Sequence, residues 1–241
     1  MKKVAIFTEG QAELIFVREV LLRFFNPSKL SFKCTKLCAQ SFIDVPYDYS
    51  CPEPEIHFLL INVQNDERVI SAIKDREKGL IERGYEKIIG LRDMYSQAYD
   101  KRSHGVIDDN VSRQFIEAAE STIRAMQYSA RIKLYFSIME IEAWFLSMYN
   151  IFKRYDSGLS AENIKRKLSF DLRRIDPEKE FFRPSNEVKA VYSLIGLKYD
   201  KKSGDIERIA RKMDCQDFLD ALDGGRCKCF DLFCQEILSC S

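Results

Sequence analysis

Histidine is nearly missing, with His57 and His104 the only two in 241 residues. Two are too few for a histidine-rich zinc hydrolase centre, and they argue against a histidine-based triad. Ten glycines and six prolines exclude collagen-like and low-complexity disordered chains. No apolar run approaches the ~20 residues of a membrane helix, so no membrane association is expected. The first apolar stretch, Val4 to Phe7, stops at Thr8-Glu9. It falls short of the ~7–15 apolar residues of an export signal, and a cytoplasmic location is expected. Net charge is also close to nil, with 38 basic and 37 acidic side chains. No global field therefore steers the chain toward nucleic acid or anionic lipid. The phosphate loop G-x-x-x-x-G-K-[ST] does not occur, so any ATP dependence must come from another chain.

What is present suits a folded protein: 46% hydrophobic and 31% charged residues. The length fits one large domain, or a core domain with a modest second lobe. Eight cysteines are expected to stay reduced in the cytosol. Cys34 and Cys38 share one face of a β-like stretch and read as small hydrophobes. Cys227, Cys229, Cys234 and Cys240 are spaced C-x-C-x4-C-x5-C, without the paired spacing of a structural zinc site. They read as part of a reduced amphipathic helix. Charge is less even locally, with 16 Lys/Arg against 10 Asp/Glu between Asn150 and Lys212.

The periodicity predicts a strand over Lys3 to Thr8 and a helix over Gln11 to Phe25, ended by Asn26-Pro27. A second strand is expected over Phe32 to Ala39, then a loop from Asp44 to Pro54. His57 to Val63 is a continuous apolar run, as in a parallel strand buried on both faces. A helix over Asp66 to Arg83 ends at Gly84. A strand over Lys87 to Leu91, a polar loop to about Asp109, a helix around Phe115 to Met126 and a strand over Ile132 to Met139 follow. Strands alternating with helices give an α/β fold, a mostly parallel sheet with helices on both faces. The rest reads as short helices broken by Pro177, Pro184 and Gly204, with Asp223-Gly-Gly-Arg226 as a turn before the last one. The expected division is a core over 1–150 and a helical C-terminal appendage over 151–241.

In open parallel sheets, ligands bind beyond the carboxyl ends of the strands. Acids follow three predicted strands: Glu9, Asp93 and Glu140. Glu13 lies one helical turn from Glu9, and Glu142 follows Glu140 closely. An acid at a helix start is also a favourable partner for the helix dipole, and one alone means little. Clustered carboxylates, however, repel unless a cation balances them. Hard cations such as Mg²⁺ take oxygen ligands, and two metals can stabilise the attacking and leaving oxygens of a phosphodiester displacement.

These residues resemble a known family. Phe7-Thr-Glu-Gly-Gln-Ala-Glu resembles the E-G-x-x-E opening of TOPRIM domains, in the nuclease branch that includes the overcoming-lysogenization-defect family. Ile89-Gly-Leu-Arg-Asp-Met-Tyr-Ser resembles the second TOPRIM motif. Ile138-Met-Glu-Ile-Glu-Ala-Trp-Phe-Leu and Leu197-Lys-Tyr-Asp-Lys-Lys are similar to segments of a bacterial TOPRIM-like family associated with defence. The resemblance spans Val4 to about Lys202. It implies a TOPRIM-like fold and a metal-dependent nuclease site cleaving DNA or RNA with Mg²⁺ or Mn²⁺. Glu9 and Glu13 would bind metal, Glu9 as the closer ligand or as general base. Asp93 would be the second-motif ligand, and Glu140 or Glu142 would complete the second metal. Lys201 or Lys202 would stabilise the charged transition state. Similar proteins work beside ATPases in phage defence, so a partner ATPase is implied. The usual D-x-D of the second motif is here Asp93-Met94-Tyr95, which lacks the second acid.

Lys165, Arg166, Lys167, Arg173 and Arg174 are candidates for phosphate contact, with Lys202. Trp144 reads chiefly as core, with base stacking as its functional alternative. The leading expectation is a metal-dependent phosphodiesterase. The alternatives are a non-catalytic TOPRIM-derived binding or interaction module and a phosphoryl or nucleotidyl transferase.

Overall fold

A computed structural model describes residues 1–39, 41–64, 68–201 and 204–240. The chain is α/β, built on a six-stranded, mostly parallel sheet. The strands are β1 (Lys2–Thr8), β2 (Leu30–Cys38), β3 (Ser41–Asp44), β4 (Ile56–Asn62), β5 (Lys87–Asp93) and β6 (Ile132–Ser137). Their spatial order is β3-β2-β4-β1-β5-β6. β1 pairs in parallel with β4 and β5, and β2 in parallel with β4, while β3 returns antiparallel to β2. The chain divides into two compact units, one of Met1–Arg92, Arg113–Phe136 and Gln235–Ser241, the other of Asp93–Ser112 and Ser137–Cys234.

The first unit carries the sheet, with helices α1 (Gln11–Phe24) and α2 (Val69–Glu82) and most of α4 (Asp109–Arg124). Alternation along each strand sends its side chains to two faces, and both are apolar, as expected of a parallel sheet covered on both sides. On one face Ala5, Phe7, Leu59, Ile61 and Ile88 pack with Val69, Ile73 and Leu80 of α2 and Ile123 of α4. The other face carries Val4, Ile6, Phe58 and Leu60, all fully buried, and α1 packs against β1 and β4. Phe25, just past α1, meets Phe58 edge-on with ring centroids 5.2 Å apart. At Gly90 a Cβ would lie 2.4 Å from Cδ1 of Leu134, so a larger residue in this strand requires the Leu134 side chain to shift.

The second unit is helical: α3 (Gln97–Ser103), α5 (Glu142–Ser147), α6 (Asn150–Tyr155), α7 (Ala161–Leu168), α8 (Pro177–Glu180), α9 (Pro184–Ser193), α10 (Asp205–Ala210), α11 (Cys215–Asp223) and the start of α12 (Lys228–Leu238). Every residue of α5 is buried. Trp144, with no exposed surface, packs against Phe230 and Phe233 at 5.4 Å each and donates its indole N–H to Glu178. It is a core residue.

Two short elements escape the periodicity reading. β3 adds four mostly exposed residues just before the expected loop at Asp44. The expected polar loop to Asp109 contains α3, started by Ser96, whose hydroxyl accepts the Tyr99 N–H at 3.1 Å. The last strand stops at Ser137, because Met139 turns the chain with φ of 64°. The expected start of the second helix, Asp66, lies outside the described residues.

Candidate functional site

Each expected acid has a definite place. In the first unit, Glu9 follows β1, and its N–H donates to the Leu91 carbonyl at 3.2 Å. Glu13 is almost fully buried in the first turn of α1, where its Oε2 accepts the Gly10 N–H at 2.8 Å. That bond satisfies a donor that the helix start would otherwise leave open.

The second unit gathers Asp93, Glu140, Glu142 and Lys201. Asp93 ends β5, and its Oδ1 accepts the Ser137 hydroxyl and, at 3.0 Å, the Ile141 N–H. Glu140 sits in the turn before α5, and its Oε2 accepts the Ser185 N–H at 2.9 Å, in the first turn of α9. Glu142 opens α5 with a side chain that has no exposed surface. Its Oε1 accepts the Tyr199 hydroxyl at 2.7 Å. Its Oε2 takes no well-aligned hydrogen bond among the described residues, and the Lys201 ammonium lies 2.8 Å away. Lys201 also stands 3.7 Å from Oε1 of Glu140. The two glutamates therefore share one cation, although residues two apart on a helix point different ways. They can do so because Glu140 precedes the helix.

Burial alone would lower the Lys201 pKa, but Glu142, Asp93 and Glu140 outweigh it and hold the ammonium protonated above its ordinary value. Burial, then the charge of Glu142, raise the Tyr199 phenol, so it remains a donor. Three carboxylates against one ammonium leave a charge of −2, which one divalent cation would balance. The oxygen-only acids suit Mg²⁺ or Mn²⁺.

The tightest group of possible ligands among the described residues is another one, Asp176, Glu178 and Cys227, whose ligand atoms lie within 4.8 Å of one another. Asp93, Glu140 and Glu142 are not drawn together that closely. The Asp176 group is occupied by backbone donors instead. Asp176 Oδ1 accepts from Glu178 and Cys227 N–H, and Glu178 accepts from Cys229 and Phe230 N–H and from Trp144. These are caps of α8 and α12, a role signalled in the sequence by Asp176 before Pro177.

The basic candidates lie on and after α7. Lys165 and Arg173 pair with Asp171 at 3.1 and 3.0 Å, Arg173 also with Glu162, and Arg174 stands 4.0 Å from Asp171. Arg166 donates to Asn163 at 3.0 Å. Lys167 is exposed with no partner among the described residues. Lys202 lies outside the described residues. Tyr95, where the second motif lacks its acid, is covered by the Arg183 guanidinium, 3.8 Å from the ring centroid.

A family described as a domain of unknown function, DUF4276, matches residues 8–238, and the chain belongs to that family. Neither the curated proteins nor the solved structures contain a match.

Proposed function

We propose that this protein is a metal-dependent phosphodiesterase of nuclease type, with Asp93, Glu140 and Glu142 holding Mg²⁺ or Mn²⁺. The observation that carries the reading is the placement of these three acids about one lysine, Asp93 at the end of one sheet strand and the glutamates after another, with Glu142 Oε2 short of aligned donors. A bound divalent ion supplies Lewis-acid polarisation of a phosphoryl oxygen and an acidified water. Lys201, held protonated, donates to the charge that develops on the phosphoryl group. Tyr199 fixes the Glu142 carboxylate through Oε1, while Lys201 faces Oε2. The sequence resemblance alone implies Glu9 and Glu13 as metal ligands and a partner ATPase in phage defence. Exposed cations on and after α7, Lys167 above all, contact the nucleic-acid backbone.

A second reading has its own observation. Asp93, Glu140 and Glu142 each accept at least one hydrogen bond from the protein, as the acids of a non-catalytic interaction module would. The experiment is incubation of the chain with end-labelled single- and double-stranded DNA and RNA, with Mn²⁺, Mg²⁺ or EDTA. Cleavage with metal, lost in Glu142→Gln, supports the phosphodiesterase. No cleavage of any substrate favours the interaction module.

A further inference from the structure

The first unit holds a second constellation that the acids do not use. Lys36 and Asn62 are the last register partners of the parallel strands β2 and β4. They line a cavity of about 260 Å³ at the carboxyl end of the sheet, with Leu14, Pro46, Tyr47 and Gln64 among its walls. Asn62 is only 9% exposed. Its Oδ1 accepts the Gln64 N–H at 2.8 Å, while its Nδ2 has no partner among the described residues. The Lys36 ammonium likewise has no partner among them. The Tyr47 oxygen accepts from the Gln11 amide at 3.0 Å, which leaves its own proton to donate.

The walls are built rather than incidental. Arg18 of α1 holds the Tyr47 carbonyl at 3.2 Å, and Asp48 accepts the Cys34 N–H at 2.6 Å, so the loop is tied to α1 and to β2. Gln64 has a φ of 60°, a left-handed conformation that is strained in a residue other than glycine. Such strain concentrates at ligand sites. The Lys36 ammonium, the Asn62 amide N–H and the Tyr47 phenol O–H line one cavity, and none of them has a protein acceptor among the described residues. A ligand rich in acceptors and negatively charged satisfies all three, and Leu14, Pro46 and the Tyr47 ring give it an apolar wall.

We propose that this cavity binds a nucleotide, its phosphate on Lys36 and Asn62 and its base against Leu14, Pro46 and Tyr47. The volume suits one nucleotide, whether free or as one unit of a nucleic-acid chain. The inference rests on the first unit alone and needs no metal, so it stands or falls separately from the phosphodiesterase reading.

The test is calorimetric titration of the full chain in EDTA with adenosine 5′-monophosphate, adenosine and a five-nucleotide deoxyadenosine oligomer. Asn62→Asp keeps the Oδ1 acceptor for Gln64 and replaces the donor by a negative oxygen. Lys36→Met keeps the aliphatic stem without the charge. Binding of the monophosphate, weakened at least tenfold in both variants and at least tenfold stronger than adenosine, supports a free-nucleotide site. Binding of the oligomer alone, with the same sensitivity to both variants, supports the site with nucleic acid as its source. No binding of either at millimolar concentration overturns it, as does binding that both variants retain. Circular dichroism melts of each variant establish that it is folded, and Lys36→Gln replaces Lys36→Met if the latter is not.

Discussion

The Lys201 ammonium lies 2.8 Å from the buried Oε2 of Glu142. The carboxylate has no exposed surface, whereas the lysine side chain remains 37% exposed. Lys201 thus neutralises the innermost acid while keeping one side open. It is the residue through which stability and the proposed chemistry meet.

Removing that cation leaves Glu142 buried and uncompensated. Breaking a fully buried pair costs about 3–5 kcal/mol, and the partial exposure of Lys201 brings this down to about 1–3 kcal/mol. Lys201→Met should lower the thermal midpoint accordingly. Mn²⁺ should restore more stability to this variant than to the wild type, because a divalent ion supplies the missing charge. Thermal unfolding with and without Mn²⁺ checks both parts.

Glu178 gives a pH dependence whose direction is set by its burial. Loss of hydration pushes its carboxyl up to about 7, against the N–H groups of Cys229 and Phe230 and the Trp144 indole, which favour the charged form. Between pH 4.5 and about 7 the folded protein holds a proton that the unfolded chain has released. Stability should therefore fall as pH rises through that window and level off above it, by at most ~3 kcal/mol. Urea unfolding from pH 5 to 8 should show this slope in the wild type. Glu178→Gln should lose it while starting less stable, since its amide turns an NH₂ toward a backbone donor.

A third expectation concerns packing alone. Gly90→Ala would place a methyl group 2.4 Å from Leu134 Cδ1 and 3.0 Å from Ile73 Cδ1. Overpacking of this kind costs about 1–3 kcal/mol. Denaturant unfolding should show the loss without a change in m-value.

The basic stretch divides into engaged and available charges. Arg173 is committed to Asp171 and Glu162, and it holds the Asp171 carboxyl well below its ordinary range. Lys167 has no such partner among the described residues. If the proposed nucleic-acid contact is correct, Lys167→Glu should weaken binding of a single-stranded oligonucleotide several-fold at low salt. Arg173→Ala should weaken it less. Fluorescence anisotropy at two salt concentrations separates the two.

The parallel core was legible because its strands announce themselves: Val4–Phe7, Phe58–Ile61 and Ile88–Leu91 are apolar on both faces and end at polar residues. α3 was not, because its seven residues mix Tyr99 with charged side chains and carry no clear apolar stripe. β3 is an edge strand of four residues and buries too little to leave a pattern. Of the expected site, Asp93, Glu140, Glu142 and Lys201 could be picked by position and resemblance. That Lys201 pairs with the two glutamates could not be read from the sequence, since Lys201 and Glu142 are 59 residues apart and meet only through tertiary folding. The Lys36–Asn62 cavity depends on strand register, which periodicity does not specify when β2 and β4 are separated by the edge strand β3 and a loop.

The most direct measurement is calorimetric titration of Mn²⁺ into the wild type, Asp93→Asn and Glu142→Gln. A metal site at these acids gives saturable binding by the wild type, weakened at least tenfold in both variants. A wild type that binds no Mn²⁺ at millimolar concentration, or variants that bind it equally well, would contradict it.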